Sequence, residues 1–180
     1  MNLLLHVCCA PCLLYPAHVL HTDDISFTCY FFNPNIHPFK EFKKRLDTFR
    51  ELSRQRNYQV IIESSYGLKI FLRSIVFKEE KRCSLCHFLR MKKTFEVAAS
   101  HGFDSVSSTL LYSRFQDHRS IKTLSDELSL AYGMRFYYRD FRVGWDQGVF
   151  ESKRLSLYRQ PYCGCVYSEQ ERYDKSLKKQ

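Results

Sequence analysis

Apolar positions along this chain alternate between two rhythms. Short runs of apolar and aromatic residues read as buried strands, and longer stretches with apolar residues three to four positions apart read as amphipathic helices. The strand-like runs are Asn2–Val7 (around Leu3-Leu4-Leu5), Ile25–Phe32, Tyr58–Ile62, Asp104–Leu111 and Met134–Tyr138. The helical stretches are Cys12–His21, Phe39–Arg56, Gly67–Val76, Cys86–His101, Ser120–Tyr132 and Val149–Leu157. In the second helix Phe39, Phe42, Leu46 and Phe49 share one face, leaving Lys40, Lys43, Lys44, Arg45, Arg50 and Arg54 on the others. Phe88, Met91, Phe95 and Ala98 align in the fourth, and Ile121, Leu124, Leu128 and Ala131 in the fifth. Gly102 and Gly133 suit the C-terminal ends of these two helices. Asn33–Pro38, Tyr112–His118 and Arg139–Gly148 are expected loops, the last holding the single tryptophan, Trp145.

Strands that alternate with helices argue for an α/β fold with a mostly parallel sheet covered by helices on both faces. A chain of 180 residues without repeats, low-complexity segments or linkers is expected to form one domain, 1–180. No apolar run is long enough to span a membrane. The N-terminus lacks the basic segment, apolar stretch and small-residue cleavage site of a signal peptide, so the cytoplasm is the expected compartment.

Cysteine usage changes the picture. Of eight cysteines, seven fall in three tight clusters: Cys8-Cys9-Ala10-Pro11-Cys12, Cys83-Ser84-Leu85-Cys86 and Cys163-Gly164-Cys165. In a cytosolic α/β chain such clusters point to metal or redox chemistry rather than to structural disulfides. Cys29 stands apart in an apolar strand and reads as core. The first cluster occupies the turn after the first strand, and in open α/β sheets chemistry gathers at such turns. The glycines of a phosphate-binding loop are absent there, which argues against an ATP-dependent enzyme of the same fold class. Cys83-x-x-Cys86 at a helix start has metal-ligand spacing and suits zinc, a dithiol or an iron–sulfur cluster. With Cys8 and Cys9 it makes four thiolates, the number a 4Fe–4S cluster takes. Cys163-Gly164-Cys165 reads as a redox pair, a second pair of metal ligands or two buried thiols. Cys12 is left over as a ligand for a separate iron. His6, His37 and His118 read as hydrogen-bonding residues.

The balance of 28 basic against 19 acidic residues leaves a net charge of +9, spread along the chain. That suits a polyanionic partner, with tRNA, rRNA or DNA as candidates. Basic helix faces such as Lys40–Arg54 would hold phosphates, and Phe115, Tyr138 and Trp145 are candidates for stacking on bases.

Several segments, taken in order, resemble one family. They are His6–Cys12, Phe31–Pro38, Arg82–Cys86, Thr109-Leu110-Leu111, Gln116-Asp117 and Tyr158–Cys165. Together they are similar to the QueH-type epoxyqueuosine reductases over nearly the whole chain. The resemblance implies a three-layer HUP-like (Rossmann-like) fold and reduction of epoxyqueuosine to queuosine at the tRNA wobble position, the last step of queuosine biosynthesis. It implies a 4Fe–4S cluster on Cys8, Cys9, Cys83 and Cys86, a redox-active disulfide at Cys163 and Cys165, and an additional mononuclear iron at Cys12. An external electron donor is required, and its identity is not written in the sequence. Asp117 and Tyr162 are candidate proton donors. Arg114-Phe115 departs from the Pro-Tyr expected before Gln116-Asp117, which concerns the shape of that loop. The rival reading is a zinc-stabilised RNA-binding module without catalysis.

Overall fold

The computed structural model describes residues 1–176. Five strands form one sheet in the order β3-β2-β1-β4-β5. They are β1 (Asn2–His6), β2 (Ser26–Phe31), β3 (Val60–Ile62), β4 (Ser105–Ser108) and β5 (Arg135–Phe136). Every pairing is parallel, with Leu4 opposite Thr28 on one side of the central strand and opposite Val106 on the other. The helices are α1 (Ala10–Thr22), α2 (Phe39–Gln55), α3 (Leu68–Ile75), α4 (Arg82–Ser100), α5 (His118–Tyr132), α6 (Trp145–Arg154) and α7 (Val166–Tyr173).

Alternate residues of the buried strands point to opposite faces. Leu3, Leu5, Cys29 and Phe31 pack against α1 and α2, through Leu13, Leu20, Phe42, Phe49 and Leu52. Leu4, Tyr30 and Val106 pack against α4 and α5, through Met91, Phe95, Ala98, Ile121 and Leu128. Helices therefore cover both faces of an α/β sheet, as the strand and helix rhythm predicts, and the sheet is wholly parallel. Cys29 is fully buried, as its setting in an apolar strand suggests.

Some boundaries differ from the sequence reading. β4 stops at Ser108, and Thr109–Tyr112 form a 3-10 turn instead of continuing the strand. Ser108 causes the break, because its hydroxyl accepts from the Leu110 N–H at 3.1 Å and so competes with the sheet. The segment expected to be a loop around Trp145 instead starts α6. Gly144 and Gly148 allow this, since a Cβ on them would meet the rings of Tyr15 at 2.1 Å and the hydroxyl of Tyr112 at 2.3 Å. α7 has no counterpart in the apolar pattern, because it buries no residue of its own. Phe39 is 54% exposed rather than part of the α2 core stripe. It opens the helix, where the stripe has not yet turned onto the sheet.

Candidate active site

The strand order reverses between β1 and β4, since the chain builds outward to β2 and β3 and then returns to β4 and β5. The crevice at the carboxyl ends of such strands is where open α/β sheets place ligands. Cys8 and Cys9 follow β1 directly, and Thr109 follows β4. Thr109 stitches the two ends together. Its hydroxyl accepts from the Cys8 N–H at 3.0 Å and lies 3.3 Å from the Cys8 sulfur. His6 braces the same crevice from the end of β1, with Nδ1 2.9 Å from the Ser108 hydroxyl and Nε2 3.1 Å from the Phe32 carbonyl. Burial and the nearby Arg90 hold its pKa down to about 4, so it serves as a neutral hydrogen-bonding residue.

Three sulfurs converge at this point. Those of Cys8, Cys9 and Cys12 all lie within 4.8 Å of one another, with Cys9 and Cys12 only 2.9 Å apart. Local structure explains the convergence. Cys9 is the extended residue before α1, and Cys12 lies in the first turn of that helix, so both face the end of β1. Gln160 reaches in from the C-terminal segment and donates to the Cys9 sulfur at 3.1 Å. Hydrogen bonds from Cys12 and Cys9 hold the Cys8 thiol well below its ordinary pKa. Burial pushes Cys9 up, and bonding to Cys8 and Cys9 pushes Cys12 up. Within the trio, the proton is therefore held least tightly at Cys8. Three buried sulfurs this close cannot all ionise unless a cation joins them. A soft, thiophilic metal meets that demand.

A second set of thiols lies on α4 and the C-terminal segment. Cys83 and Cys86 lie in the first two turns of α4; Cys83 is exposed and Cys86 buried. Cys86 packs in one apolar cluster with Cys165, Phe71 and Ile75, and burial pushes its pKa up to about 12. Cys163 is exposed, and Gln116 Nε2 donates to its sulfur at 3.4 Å. Gln116 is held in turn by His87, whose Nε2 lies 2.8 Å from Oε1. All eight cysteines are free thiols.

Arg90 links the two sets. It is buried, and its Nε donates to the Cys86 carbonyl at 3.3 Å. Burial opposes its charge, yet Cys86, Cys163 and Cys8 together raise its pKa. It is a cation whose surroundings are thiols, which favours their ionised form.

The Cys163-Gly164-Cys165 turn is held from α2. Arg45 donates through Nη1 to the Cys163 carbonyl at 2.8 Å and through Nη2 to the Tyr162 carbonyl at 3.0 Å. Its Nε donates to Glu41 at 2.6 Å. The His37 N–H donates to the Gly164 carbonyl at 2.7 Å, and the Tyr162 hydroxyl donates to the His37 carbonyl at 2.6 Å. Gly164 has φ of 144°, and a Cβ there would stand 3.2 Å from Arg45, Asn35 and Ile36, so only glycine suits this position.

The family model for "Epoxyqueuosine reductase QueH" matches residues 3–171. The chain belongs to this family of oxidoreductases. A protein of that name from Dehalococcoides mccartyi is 38% identical over 97% of this chain and 96% of its own. One from Thermotoga maritima is 34% identical over 97% and 93%, respectively. Among solved structures, a "predicted subunit of tRNA methyltransferase" from Methanocaldococcus jannaschii superposes with a TM-score of 0.55 at 11% identity, covering 85% of this chain and 74% of that one. That likeness concerns the fold alone.

For this QueH-family chain the structure distributes the expected site residues unevenly. Cys8 and Cys9 lie with Cys12, and among the described residues no other group of three or more Cys, His, Asp or Glu side chains converges as closely. Cys83 and Cys86 stand outside that span, on the side of Cys163 and Cys165. Asp117 is the exposed N-cap of α5, where Oδ1 accepts from the Ser120 N–H at 3.0 Å. Burial raises the Tyr162 phenol to about 12. Arg45, grouped with the exposed cations of α2, is instead 2% exposed. Neither Arg45 nor Arg90 stands out in the sequence as a site residue. A signal existed, since each falls on the buried stripe of its helix, Arg45 beside Leu46 and Arg90 beside Met91.

Proposed function

We propose that this chain reduces epoxyqueuosine to queuosine in tRNA, as a cytoplasmic enzyme formed by one domain, 1–180. Family membership supports the reaction. The observation that carries the site is the convergence of Cys8, Cys9 and Cys12 at the reversal point of the sheet, with the other functional thiols facing it across Arg90.

The donor set suits a 4Fe–4S cluster held by Cys8, Cys9, Cys83 and Cys86, and a further iron at Cys12. When bound, the cluster would relay electrons one at a time and the iron would offer Lewis-acid chemistry at the epoxide oxygen. The protein's own thiols account for the whole electron and proton balance. Cys163 and Cys165 give up two electrons and two protons as an S–S bond forms between them. Both C–O bonds of the epoxide break, a C=C bond forms, and the oxygen leaves as water. An external reductant then restores the dithiol. Arg45 and His37 hold the main chain of the turn while its sulfurs change partners, and Gln116 holds the exposed Cys163 sulfur. Tyr162 and Asp117 flank this segment as routes by which protons return from solvent.

Anaerobic purification followed by iron and sulfide assay and a visible spectrum tests the site. The expected result is a brown protein with both iron and sulfide that converts epoxyqueuosine-bearing tRNA to a product lighter by one oxygen. A colourless protein holding stoichiometric zinc and no iron points to the zinc-stabilised RNA-binding module instead. Full turnover by Cys163→Ser removes the dithiol from the reaction.

A further inference from the structure

Phe115 is 84% exposed, an unusual position for a phenylalanine, and it does not stand alone. Its ring meets that of Trp145 edge-to-face at a centroid distance of 5.9 Å. Trp145 is fixed from beneath, where Tyr112 stacks on it at 5.2 Å and donates its hydroxyl to the Trp145 carbonyl at 2.9 Å. The Arg114 guanidinium lies over the Trp145 ring at 5.3 Å, 3.6 Å from the exposed carboxylate of Asp146. The result is a rigid notch with one open aromatic face and one cation at its rim. Phe77 is more exposed still, but among the described residues no ring stands beside it.

The notch is tied to the thiols by the next residue in the chain. The Phe115 N–H donates to the Ser113 hydroxyl at 3.2 Å, which fixes the turn. Phe115 faces solvent from this turn, while Gln116 faces inward to Cys163 and His87. One turn therefore sets the separation between an exposed aromatic face and an exposed sulfur of the site. Unpaired bases stack on such faces whatever their identity, and cations beside them take the phosphates. The net charge of +9 favours an RNA over a protein as the occupant.

We propose that Phe115, walled by Trp145 and flanked by Arg114, is a stacking platform for an unpaired base adjacent to the nucleotide being reduced. This rests on the tRNA reading above. The platform holds the loop splayed, so that the reacting base reaches the thiol site instead of stacking on its neighbour.

Trp145 is the only tryptophan, so its fluorescence reports on the notch. The probe is an anticodon stem-loop RNA with epoxyqueuosine at the wobble position, titrated into the purified enzyme while anisotropy and tryptophan emission are both followed. The wild type is expected to bind with quenching, and a fully paired RNA hairpin to bind without it. Phe115→Ala is expected to weaken stem-loop binding about tenfold and Phe115→Tyr to restore it, in line with the loss of one base stack. An unchanged unfolding midpoint checks that the exposed substitution spares the fold. Stem-loop binding without quenching overturns the platform and leaves the tRNA reading standing, as does Phe115→Leu binding as tightly as the wild type. Absence of stem-loop binding at low salt overturns the tRNA reading itself, and the platform with it.

Discussion

A buried side chain's protonation state follows from what surrounds it, and His37 is a clear case. It lies in the Asn33–Pro38 loop, its ring buried against Tyr66 and Phe71. Burial holds its pKa down to about 4. The unfolded chain takes up a proton near pH 6.5, whereas the folded one refuses it until about pH 4. Stability is therefore unaffected above pH 6.5 and falls as pH drops toward 4, by roughly 3 kcal/mol from this residue. His37→Phe keeps an aromatic ring in place and removes the proton. Urea unfolding across that pH window is expected to show a shallower decline for the variant than for the wild type. The burial that carries this effect is not written at position 37, which reads as one more loop histidine. It comes from Phe71 of α3 and Tyr66 of the loop before it closing over the ring.

α2 shows what one helix contributes beyond its apolar stripe. Phe42, Leu46, Phe49 and Leu52 seat it on the sheet, as the helical period predicts. Arg45 lies on the same buried stripe and turns the helix into a clamp for a turn 118 residues away. Its partners are two main-chain carbonyls and Glu41, whose other oxygen accepts from the Tyr158 hydroxyl at 2.6 Å. Arg45→Met leaves Glu41 and both carbonyls without their cation. Breaking a buried pair of this kind costs about 3 kcal/mol. Chemical unfolding is expected to show that loss, with Arg45→Lys intermediate because one ammonium cannot serve two carbonyls and a carboxylate together. The helix was legible from its periodicity. Its second role was hidden, because an arginine in a basic helix looks like every other exposed cation until its partners are known.

At the scale of the whole molecule, a wholly parallel sheet with one reversal concentrates loops at one end. The thiols of β1, the stitching hydroxyl after β4 and the Phe115 notch all belong to that end. Exposed cations, including Lys40, Lys43, Lys44 and Arg54 on α2, supply the charge for a long anionic ligand. Lys44 also stands 3.9 Å over the Tyr158 ring, near the Cys163 segment. Binding of the anticodon stem-loop is therefore expected to weaken steeply with salt. The logarithmic slope should be about −0.7 for each phosphate held on single-stranded RNA. Measuring the slope for the wild type and for Lys44→Ala checks this; the variant is expected to lose about one phosphate's share, and a flat wild-type dependence argues against phosphate contacts.

Several properties were determined by the sequence alone. The alternation of strands and helices predicts the layered fold, because burial period is a local property of the chain. The cysteine clusters mark the candidate site, because seven thiols in three tight groups stand out from the rest of the composition. The ordered motifs point to the family. Only the tertiary structure decided which thiols meet. Cys12 joins Cys8 and Cys9 because the helix starts early enough to turn it back onto them. Cys86 shares a cluster with Cys165 because α3, α4 and the C-terminal segment pack together. It also decided that Arg45 and Arg90 are interior cations. Apart from the Cys8–Cys12 turn, these facts concern residues far apart in sequence, and no local pattern encodes which distant partner will neutralise a buried charge or lie beside a distant thiol.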